Sequence, residues 1–293
     1  MSQLTNANQK PKFSVAIQTD TYRKLIEQTL GDSERAKRFV ASISSAVAVN
    51  ADLQECEAGT ILSCALLGEA LNLSPSPQLG QYYLVPFNSK SKGKVATFIL
   101  GYKGYIQLAV RSGNYKKINV IELKEGELIN FDLMNEEIEV NMIQDDTIRE
   151  NTPTIGYYAM FEYLNGFKKA IYWSKKKMIE HADKYSPAFN KKGYELLEAG
   201  KVKEVDMWKY SSHWYKNFDD MAKKTMLRQL ISRWGVMSVE MREAFENDEK
   251  VIYSDGSSSF IDDIDIPEET IIDIDEESEK KDKKTKQVSI NEL

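Results

Sequence analysis

The N-terminal part of the chain places its hydrophobic residues three and four positions apart. This spacing predicts three helices, over residues 20–30, 33–47 and 60–71. Ser33 can cap the second helix, because its hydroxyl can accept a hydrogen bond from an amide of the first turn. Pro75 and Pro77 then end the helical pattern. We interpret these helices as packing elements.

After residue 80 the hydrophobic period changes to two. Residues 81–87 and 94–100 alternate between apolar and polar side chains, which predicts two strands joined by a polar turn. A helix pattern follows and ends before Gly113, a residue suited to the position after a helix. Further strands are predicted over residues 117–123 and 137–142. The chain therefore passes from helices into a sheet near residue 80.

Residues 154–173 form the clearest predicted β-hairpin. Asn165-Gly166 is a typical two-residue turn of type I′. With that turn, Glu162 would lie opposite Lys169 and Phe161 opposite Ala170, so that turn and cross-strand chemistry agree. The hairpin is rich in aromatic residues, which either pack in the core or intrude between nucleic-acid bases.

The last third of the chain returns to helices. Ser174 can cap a lysine-rich helix, residues 185–210 have the character of a mobile loop, and residues 214–234 predict one long helix before a short one over 238–247. The whole pattern predicts an α+β fold. We expect a small, mainly antiparallel sheet with a β-hairpin, flanked by N-terminal helices and a long C-terminal helix, and followed by a disordered acidic tail.

The composition is that of a globular protein from a reducing compartment. The 293 residues are 42% hydrophobic and 10% aromatic, enough for a sizeable core. No apolar run approaches the roughly 20 residues of a membrane span, and the N-terminus lacks the apolar segment of a secretory signal. The two cysteines, Cys56 and Cys64, form no metal-binding spacing. We therefore expect a cytoplasmic protein without a membrane partner.

The net charge of −6 is unevenly distributed. Residues 251–293 contain 13 Asp or Glu and 5 Lys, a net charge of −8, so residues 1–250 carry +2. A basic body with an acidic tail is frequent among proteins that handle nucleic acid, although it also occurs elsewhere. We divide the chain into a disordered N-terminus (1–14), a folded core (15–247) and the tail (248–293). The tail could compete with DNA, dock a partner, or only solubilise the chain.

One stretch, residues 101–117, combines small, cationic and aromatic residues. Gly101 and Gly104 open it, and a helix would place Lys103, Gln107 and Arg111 on one face, since they recur every four positions. The opposite, apolar side would hold Tyr102, Tyr105, Ile106, Ala109 and Val110. Glycines beside cations suit a backbone that approaches a polyanion closely. An ordinary amphipathic helix with a solvated face is the alternative, and spacing does not decide between the two.

The sequence lacks the common motifs of catalysis. Its two histidines, His181 and His213, have no partner at ligand spacing, and there is no P-loop, dinucleotide-binding glycine motif, HExxH or serine-nucleophile motif. Acidic residues occur in two runs: Glu122, Glu125 and Glu127, then Glu136, Glu137 and Glu139. Such runs usually decorate exposed turns, but they leave a metal-dependent nuclease, or a nuclease subunit, as the alternative to a binding protein.

Four segments resemble one protein family. They are LNLSPSPQLGQYYLVPFN at 71–88, FILGYKGYIQLAVRSGNYKKINV at 98–120, YSPAF at 185–189 and WYKNFDDMAKKTMLRQLISRWG at 214–235. In order and spacing they are similar to the RecT family of phage single-strand annealing proteins, the Red beta-like recombinases, over roughly residues 15–245. Residues 194–210 look longer and richer in lysine than the family pattern, and the tail matches no family motif.

The resemblance implies a non-enzymatic, ATP-independent protein that binds single-stranded DNA and anneals complementary strands in homologous recombination. It implies homo-oligomeric rings or helical filaments in a bacterial host cell, with single-stranded DNA and the annealed duplex as ligands. A phage exonuclease is the expected partner, and a host single-strand-binding protein could be another. No cofactor is implied, although Mg²⁺ could influence DNA binding without a site on the protein.

Motif and helix position together select the candidate DNA-binding residues. They fall into three clusters: Lys103, Gln107 and Arg111, with Tyr115, Lys116 and Lys117 at their edge; Lys223, Lys224 and Arg228 in the late helix; and Lys168 with Lys169 near the hairpin tip, together with Lys175, Lys176 and Lys177. Runs of lysines usually only form a solvated face, so the lysines of the third cluster are the weakest candidates for DNA binding.

Overall fold

The computed structural model describes residues 11–89 and 92–260. These residues form helices and antiparallel strands around one large buried core, which confirms the α+β prediction. Phe13 lies inside that core, although it falls in the N-terminal segment predicted to be disordered. The rest of that segment up to residue 10 and the tail from residue 261 lie outside the described residues.

The N-terminal part contains four helices: α1 (Phe13–Ala16), α2 (Asp20–Leu30), α3 (Ser33–Ala48) and α4 (Ala58–Ala70). A 3-10 helix, Ala51–Glu55, precedes α4. The cap of α3 is Asp32 rather than Ser33, because the Asp32 carboxylate accepts a hydrogen bond from the Arg35 amide at 2.6 Å. α4 is buried on most sides, as expected for a helix covered by several neighbours.

The first hairpin leads directly to the stretch that stood out in the sequence. β1 (Tyr82–Ser89) pairs with β2 (Gly93–Leu100), which packs on α4. Side chains alternate along a strand, so Tyr82 points into the core and Tyr83 towards the other face. Gly101 then connects β2 to helix α5 (Tyr102–Arg111). These elements lie close to their predicted positions.

A second sheet follows α5. This part of the chain contains, in order, β3 (Tyr115–Lys124), β4 (Leu128–Asp132), β5 (Glu137–Val140), helix α6 (Asp146–Asn151), β6 (Thr154–Tyr163) and β7 (Lys168–Ser174). The order of the sheet is β3-β6-β7, while β4 and β5 pair separately. β4, β5 and α6 form an insertion between β3 and β6. The buried Glu127 holds this β4–β5 insertion against β3, because it accepts a hydrogen bond from the Lys124 amide at 2.8 Å and pairs with Arg149 at 2.7 Å.

The predicted register of the β6–β7 hairpin is wrong by one residue. Glu162 lies opposite Lys168, and Phe161 lies opposite Lys169. The loop therefore has one residue more than a type I′ turn, and Gly166 adopts a left-handed φ of +87°. Three-residue hairpin loops commonly use a glycine in this way, so an Asn-Gly pair does not by itself determine the loop length.

Residues 185–210, predicted to be a mobile loop, are mostly helical. After α7 (Lys175–Tyr185) the chain forms α8 (Lys191–Glu198) and a 3-10 helix, Glu204–Tyr210. The Asn190 side chain caps α8 by accepting from the Gly193 amide at 3.0 Å. With eight residues, α8 is too short to show a clear hydrophobic period in the sequence.

The predicted long helix over residues 214–234 is two helices that meet at Asn217: α9 (His213–Lys216) and α10 (Phe218–Trp234). α10 is central to the fold, since it packs against α5 and against all three strands of the second sheet. α11 (Val239–Asn247) follows and packs on α5 and β2. The long C-terminal helix therefore exists, but it begins later than predicted.

The C-terminal described residues complete the first sheet. β8 (Lys250–Ile252) pairs with β2, and β9 (Ser258–Phe260) pairs with β8, which gives the order β1-β2-β8-β9. Val251 is fully buried. The sequence placed the start of the tail at residue 248, but residues 248–260 belong to the fold, because β2 offers an edge that β8 occupies.

Candidate nucleic-acid interface

The turn between β2 and α5 is built around a close contact with residues 80 and 81. The Gly101 amide donates to the Gln81 carbonyl at 2.9 Å. A Cβ on Gly101 would overlap the Gly80 carbonyl oxygen, and a Cβ on Gly104 would overlap that of Gln81. Both positions therefore require glycine. The sequence suggested that these glycines let a polyanion approach the backbone. In the structure the space beside them is filled by the backbone of residues 80 and 81.

Five side chains at the start of α5 form what we call the tyrosine–lysine surface: Tyr83, Tyr102, Lys103, His213 and Lys223. The rings of Tyr83 and His213 have centroids 5.6 Å apart. The ammonium groups of Lys223 and Lys103 lie 4.8 and 5.9 Å from the centroid of the Tyr102 ring. Both tyrosines are half-buried. Aromatic rings and cations from β1, α5, α9 and α10 therefore meet here.

At neutral pH the positive charge of the tyrosine–lysine surface comes from its lysines. Burial lowers the pKa of His213 below its ordinary value, so the imidazole is uncharged, and burial raises the pKa of Tyr83. Burial also opposes the charge on Lys223, but the Asp220 and Glu122 carboxylates, at 3.0 and 3.5 Å, outweigh it and raise the lysine's pKa. Lys223 is therefore charged but largely neutralised by its partners.

The predicted stripe on α5 is exposed along its whole length: Lys103, Gln107 and Arg111. Within the part of the chain that the structure describes, no carboxylate forms an ion pair with Lys103. The Arg111 guanidinium, in contrast, donates to the Leu71 and Asn72 carbonyls at 2.8 and 3.2 Å, and so closes the C-terminal end of α4. Lys103 is therefore the side chain of the stripe best placed to meet a phosphate.

The apolar side expected for α5 is only partly buried. Tyr105 is fully buried, whereas Tyr102 is half-buried and Val110 is 58% exposed. α10 and α11 pack on α5, and the Tyr105 ring contacts that of Phe245 in α11. The tyrosines predicted to lie mostly inside are thus divided between the core and the tyrosine–lysine surface.

Lys224 and Arg228 belong to an internal ion network. Lys224 is only 3% exposed, and its ammonium lies 3.0 Å from Asp248 and 2.9 Å from Glu249. Arg228 donates to Asp248 at 2.7 Å. Burial acts to lower the pKa of Lys224, but the two carboxylates outweigh it and raise the pKa. The structure thus corrects the placement of Lys224, whose charge is used inside the protein and not in a groove.

Two of the remaining candidates are also engaged by the protein. The Tyr115 phenol donates to the Val236 carbonyl at 3.2 Å, and its ring packs on that of Tyr163 at 5.0 Å. Lys169 pairs with Glu136, and its ammonium lies 4.5 Å from the centroid of the Trp234 ring. These contacts join the hairpin to the end of α10 and to the β4–β5 insertion.

Three other lysines surround one carboxylate, and we call them the hairpin lysine cluster: Lys116, Lys117 and Lys168. All three are exposed. Lys116 pairs with Glu162 at 2.7 Å, and these lysines hold the pKa of Glu162 below its ordinary value, Lys116 most strongly. Three cations around one anion leave a local positive charge, so the cluster is a second candidate for phosphate contact.

Tyr83 and His213 were not selected from the sequence as candidate DNA-binding residues. The alternation of β1 could have found Tyr83, because an inward Tyr82 places its neighbour on the outer face. No local signal marks His213, which reaches the surface only because α9 brings it beside β1. A sequence pattern cannot detect such a contact between elements far apart in the chain.

Of the six glutamates considered for a nuclease, three form ion pairs, and Glu125, Glu137 and Glu139 are exposed. Glu122 lies 3.5 Å from Lys223, Glu127 lies 2.7 Å from Arg149, and Glu136 pairs with a lysine of β7. Within residues 11–89 and 92–260, no group of three or more His, Cys, Asp or Glu side chains is placed to hold a metal ion. In the same ranges no helix combines the length and apolar character that crossing a bilayer requires.

Comparison with known proteins covers most of this fold. A model of the RecT family matches residues 37–285, which include α5, both larger sheets and α10. The chain belongs to the RecT family. It is 38% identical over 227 residues to the uncharacterized protein YqaK of Bacillus subtilis (strain 168), covering 77% of this chain and 68% of YqaK. It is 27% identical over 218 residues to protein RecT of Escherichia coli (strain K12), covering 73% of this chain and 72% of RecT.

Membership in the RecT family gives the chain a general role in DNA recombination and single-strand annealing. The matched residues include the whole tyrosine–lysine surface and the whole hairpin lysine cluster. They begin within α3, after α1 and α2, and continue past residue 245, where the motifs recognised in the sequence end. Both candidate surfaces thus lie within the part of the chain that the family shares.

Proposed function

We propose that this RecT family protein anneals complementary single strands of DNA without ATP, as a homo-oligomeric ring or filament. The observation that carries the proposal is the family match over residues 37–285. The tyrosine–lysine surface supports it, because the exposed cation Lys103 beside half-buried aromatic rings suits binding of single-stranded DNA in any sequence.

The physics of annealing agrees with such a surface. Two phosphate backbones repel each other, so a protein that brings them together must supply positive charge. Lys103, Lys117 and Lys168 are exposed and offer that charge. A base stacked on Tyr83 or Tyr102 would add about 1–3 kcal/mol. Base pairing between the strands selects the correct partner, so the protein itself needs to read only backbone and shape.

Lys103→Ala is expected to weaken binding to a single-stranded oligonucleotide by about 3- to 10-fold at low salt, because one phosphate contact is lost. The slope of log K against log salt should become less steep by about 0.7, and the annealing rate should fall in parallel. Fluorescence anisotropy over a salt series and annealing of two dye-labelled complementary oligonucleotides measure both effects.

Lys24→Ala is the matched control for Lys103→Ala. It removes the same exposed charge from α2, before the family match begins at residue 37. If both variants keep the affinity and salt slope of the unmodified protein, Lys103 is not a phosphate contact. The same reactions run on denaturing gels in Mg²⁺ test the nuclease alternative, since an annealing protein leaves both strands intact.

The proposed activity implies further partners. Single strands arise when an exonuclease resects a duplex end, so we propose a phage exonuclease as the supplier of the substrate, in the cytoplasm of a bacterial host. A host single-strand-binding protein would occupy the same DNA and is a second proposed partner. Family membership supports DNA binding and self-association in general.

Ending the chain after Phe260 is expected to raise single-strand affinity by about 2- to 5-fold at low salt, with the difference disappearing at high salt. Residues 261–293 contain 12 Asp or Glu and 5 Lys, so their removal takes away negative charge that repels DNA. The cut keeps β9, which pairs with β8. Unchanged affinity in the same anisotropy assay would support a merely solubilising tail.

A further inference from the structure

Three aromatic rings contact one another in sequence where β7 passes into α7. We call them the aromatic ladder: Trp173, His181 and Tyr185. The centroids of Trp173 and His181 are 5.2 Å apart, and those of His181 and Tyr185 are 4.6 Å apart. Trp173 and His181 are half-buried, whereas Tyr185 is 60% exposed. The exposed Tyr185 ring is therefore held in place by the half-buried His181 ring that packs against it.

Two lysines flank the aromatic ladder. The Lys177 ammonium lies 4.4 Å from the centroid of the Trp173 ring, and the Lys184 ammonium lies 5.0 Å from that of Tyr185. Both lysines are exposed. Cations held beside an exposed, supported ring provide one group for a phosphate and one for a base within the length of a single nucleotide.

The acidic residues of α7 are directed towards α8. Glu180 lies 4.0 Å from the Lys191 ammonium, and Asp183 accepts from the Lys191 amide at 2.6 Å. Burial lowers the pKa of His181 below its ordinary value, and the Glu249 carboxylate, just before β8, opposes this shift. The outer end of the ladder, at Tyr185 and Lys184, therefore keeps a cation beside its exposed ring.

We propose that the aromatic ladder is a second contact for single-stranded DNA, in which an unpaired base stacks on Tyr185 while Lys177 and Lys184 hold the flanking phosphates. This inference rests on the proposed function, since the ligand is the same. It adds a distinction between DNA states. A base inside a duplex is covered on both faces by its neighbours, so only an unpaired strand can use the ring, whereas phosphate contacts serve single and double strands alike.

Tyr185→Ala is expected to weaken binding of a 20-nucleotide oligo(dT) by about tenfold while leaving the salt slope unchanged, since stacking releases no counterions. Binding of a 20-base-pair duplex should not change. Tyr185→Phe keeps the ring and should restore oligo(dT) affinity. Lys184→Ala should instead flatten the salt slope. Leu196→Ala, which removes an exposed apolar side chain from the neighbouring helix α8, is the control.

Other outcomes overturn the aromatic ladder as a DNA contact. They are unchanged oligo(dT) affinity in Tyr185→Ala, an equal loss for oligo(dT) and duplex, or a loss that Tyr185→Phe does not restore. The test is separate from that of the proposed function. If the unmodified protein anneals and Lys103→Ala impairs it while Tyr185→Ala does not, only the ladder is wrong. If the unmodified protein does not bind oligo(dT), both are wrong.

Discussion

Asp248→Asn is expected to lower the free energy of unfolding by about 3–5 kcal/mol, because it removes the fully buried carboxylate charge that pairs with both Lys224 and Arg228. The Asp248 carboxylate is fully buried and accepts from Lys224 at 3.0 Å and from Arg228 at 2.7 Å. It also accepts from the Tyr105 phenol at 2.8 Å and from the Leu100 amide at 2.9 Å. One carboxylate thus joins β2, α5 and α10 to the start of β8.

Urea unfolding at pH 7, followed by circular dichroism, measures the effect of Asp248→Asn. Glu249→Gln is the matched control, because Glu249 also binds Lys224 but its side chain is 45% exposed. Lys224 above all lowers the pKa of Glu249 from its ordinary 4.5, so the contribution of Glu249 is complete above that pH and is lost only as the pH falls through the lowered pKa. If the two variants lose equal stability, Asp248 is not the centre of the network.

Gly104→Ala is expected to destabilise the protein by about 1–3 kcal/mol, because the new methyl group would overlap the Gln81 carbonyl oxygen and press on the Leu100 side chain. The sign of the effect is informative. In a helix without neighbours the same change would stabilise by up to about 1 kcal/mol, since alanine is the better helix former.

The consequences of Gly104→Ala should extend to DNA binding. Residues 80 and 81 pass over the first turn of α5, so pushing them away separates Tyr83 from Tyr102 on the tyrosine–lysine surface. Oligonucleotide affinity, measured where the variant is still folded, should therefore fall. Gln107→Ala, at an exposed position on the same helix, should alter stability little. A stabilised Gly104→Ala protein would contradict the close contact.

Local elements with a strong period were predictable. The alternation around Tyr82 and Leu100 placed β1 and β2, and the spacing around Ile26 and Ile43 placed α2 and α3, because burial of one face requires that repeat. The hairpin was found but its register was not. An Asn-Gly pair is compatible with loops of two and of three residues, and only the packing of both strands decides between them.

The helix face of the candidate residues was predictable, and their contacts were not. Lys103 and Arg111 share one exposed face, as their spacing requires, yet one is unpaired among the described residues and the other caps α4. Spacing determines which face a side chain occupies. It carries no information about the carbonyl groups and carboxylates that other elements bring to that face.

The sequence by itself determined the α+β class, most of the helices and strands, and the importance of residues 101–117 within a RecT-type chain. Only the tertiary structure decided what these residues and the late-helix cations contact. Gly101 and Gly104 admit the backbone of residues 80 and 81, and Lys224 neutralises Asp248. Periodicity reflects which side of an element is buried, whereas the partner of a charge or a glycine depends on contacts between residues far apart in the chain.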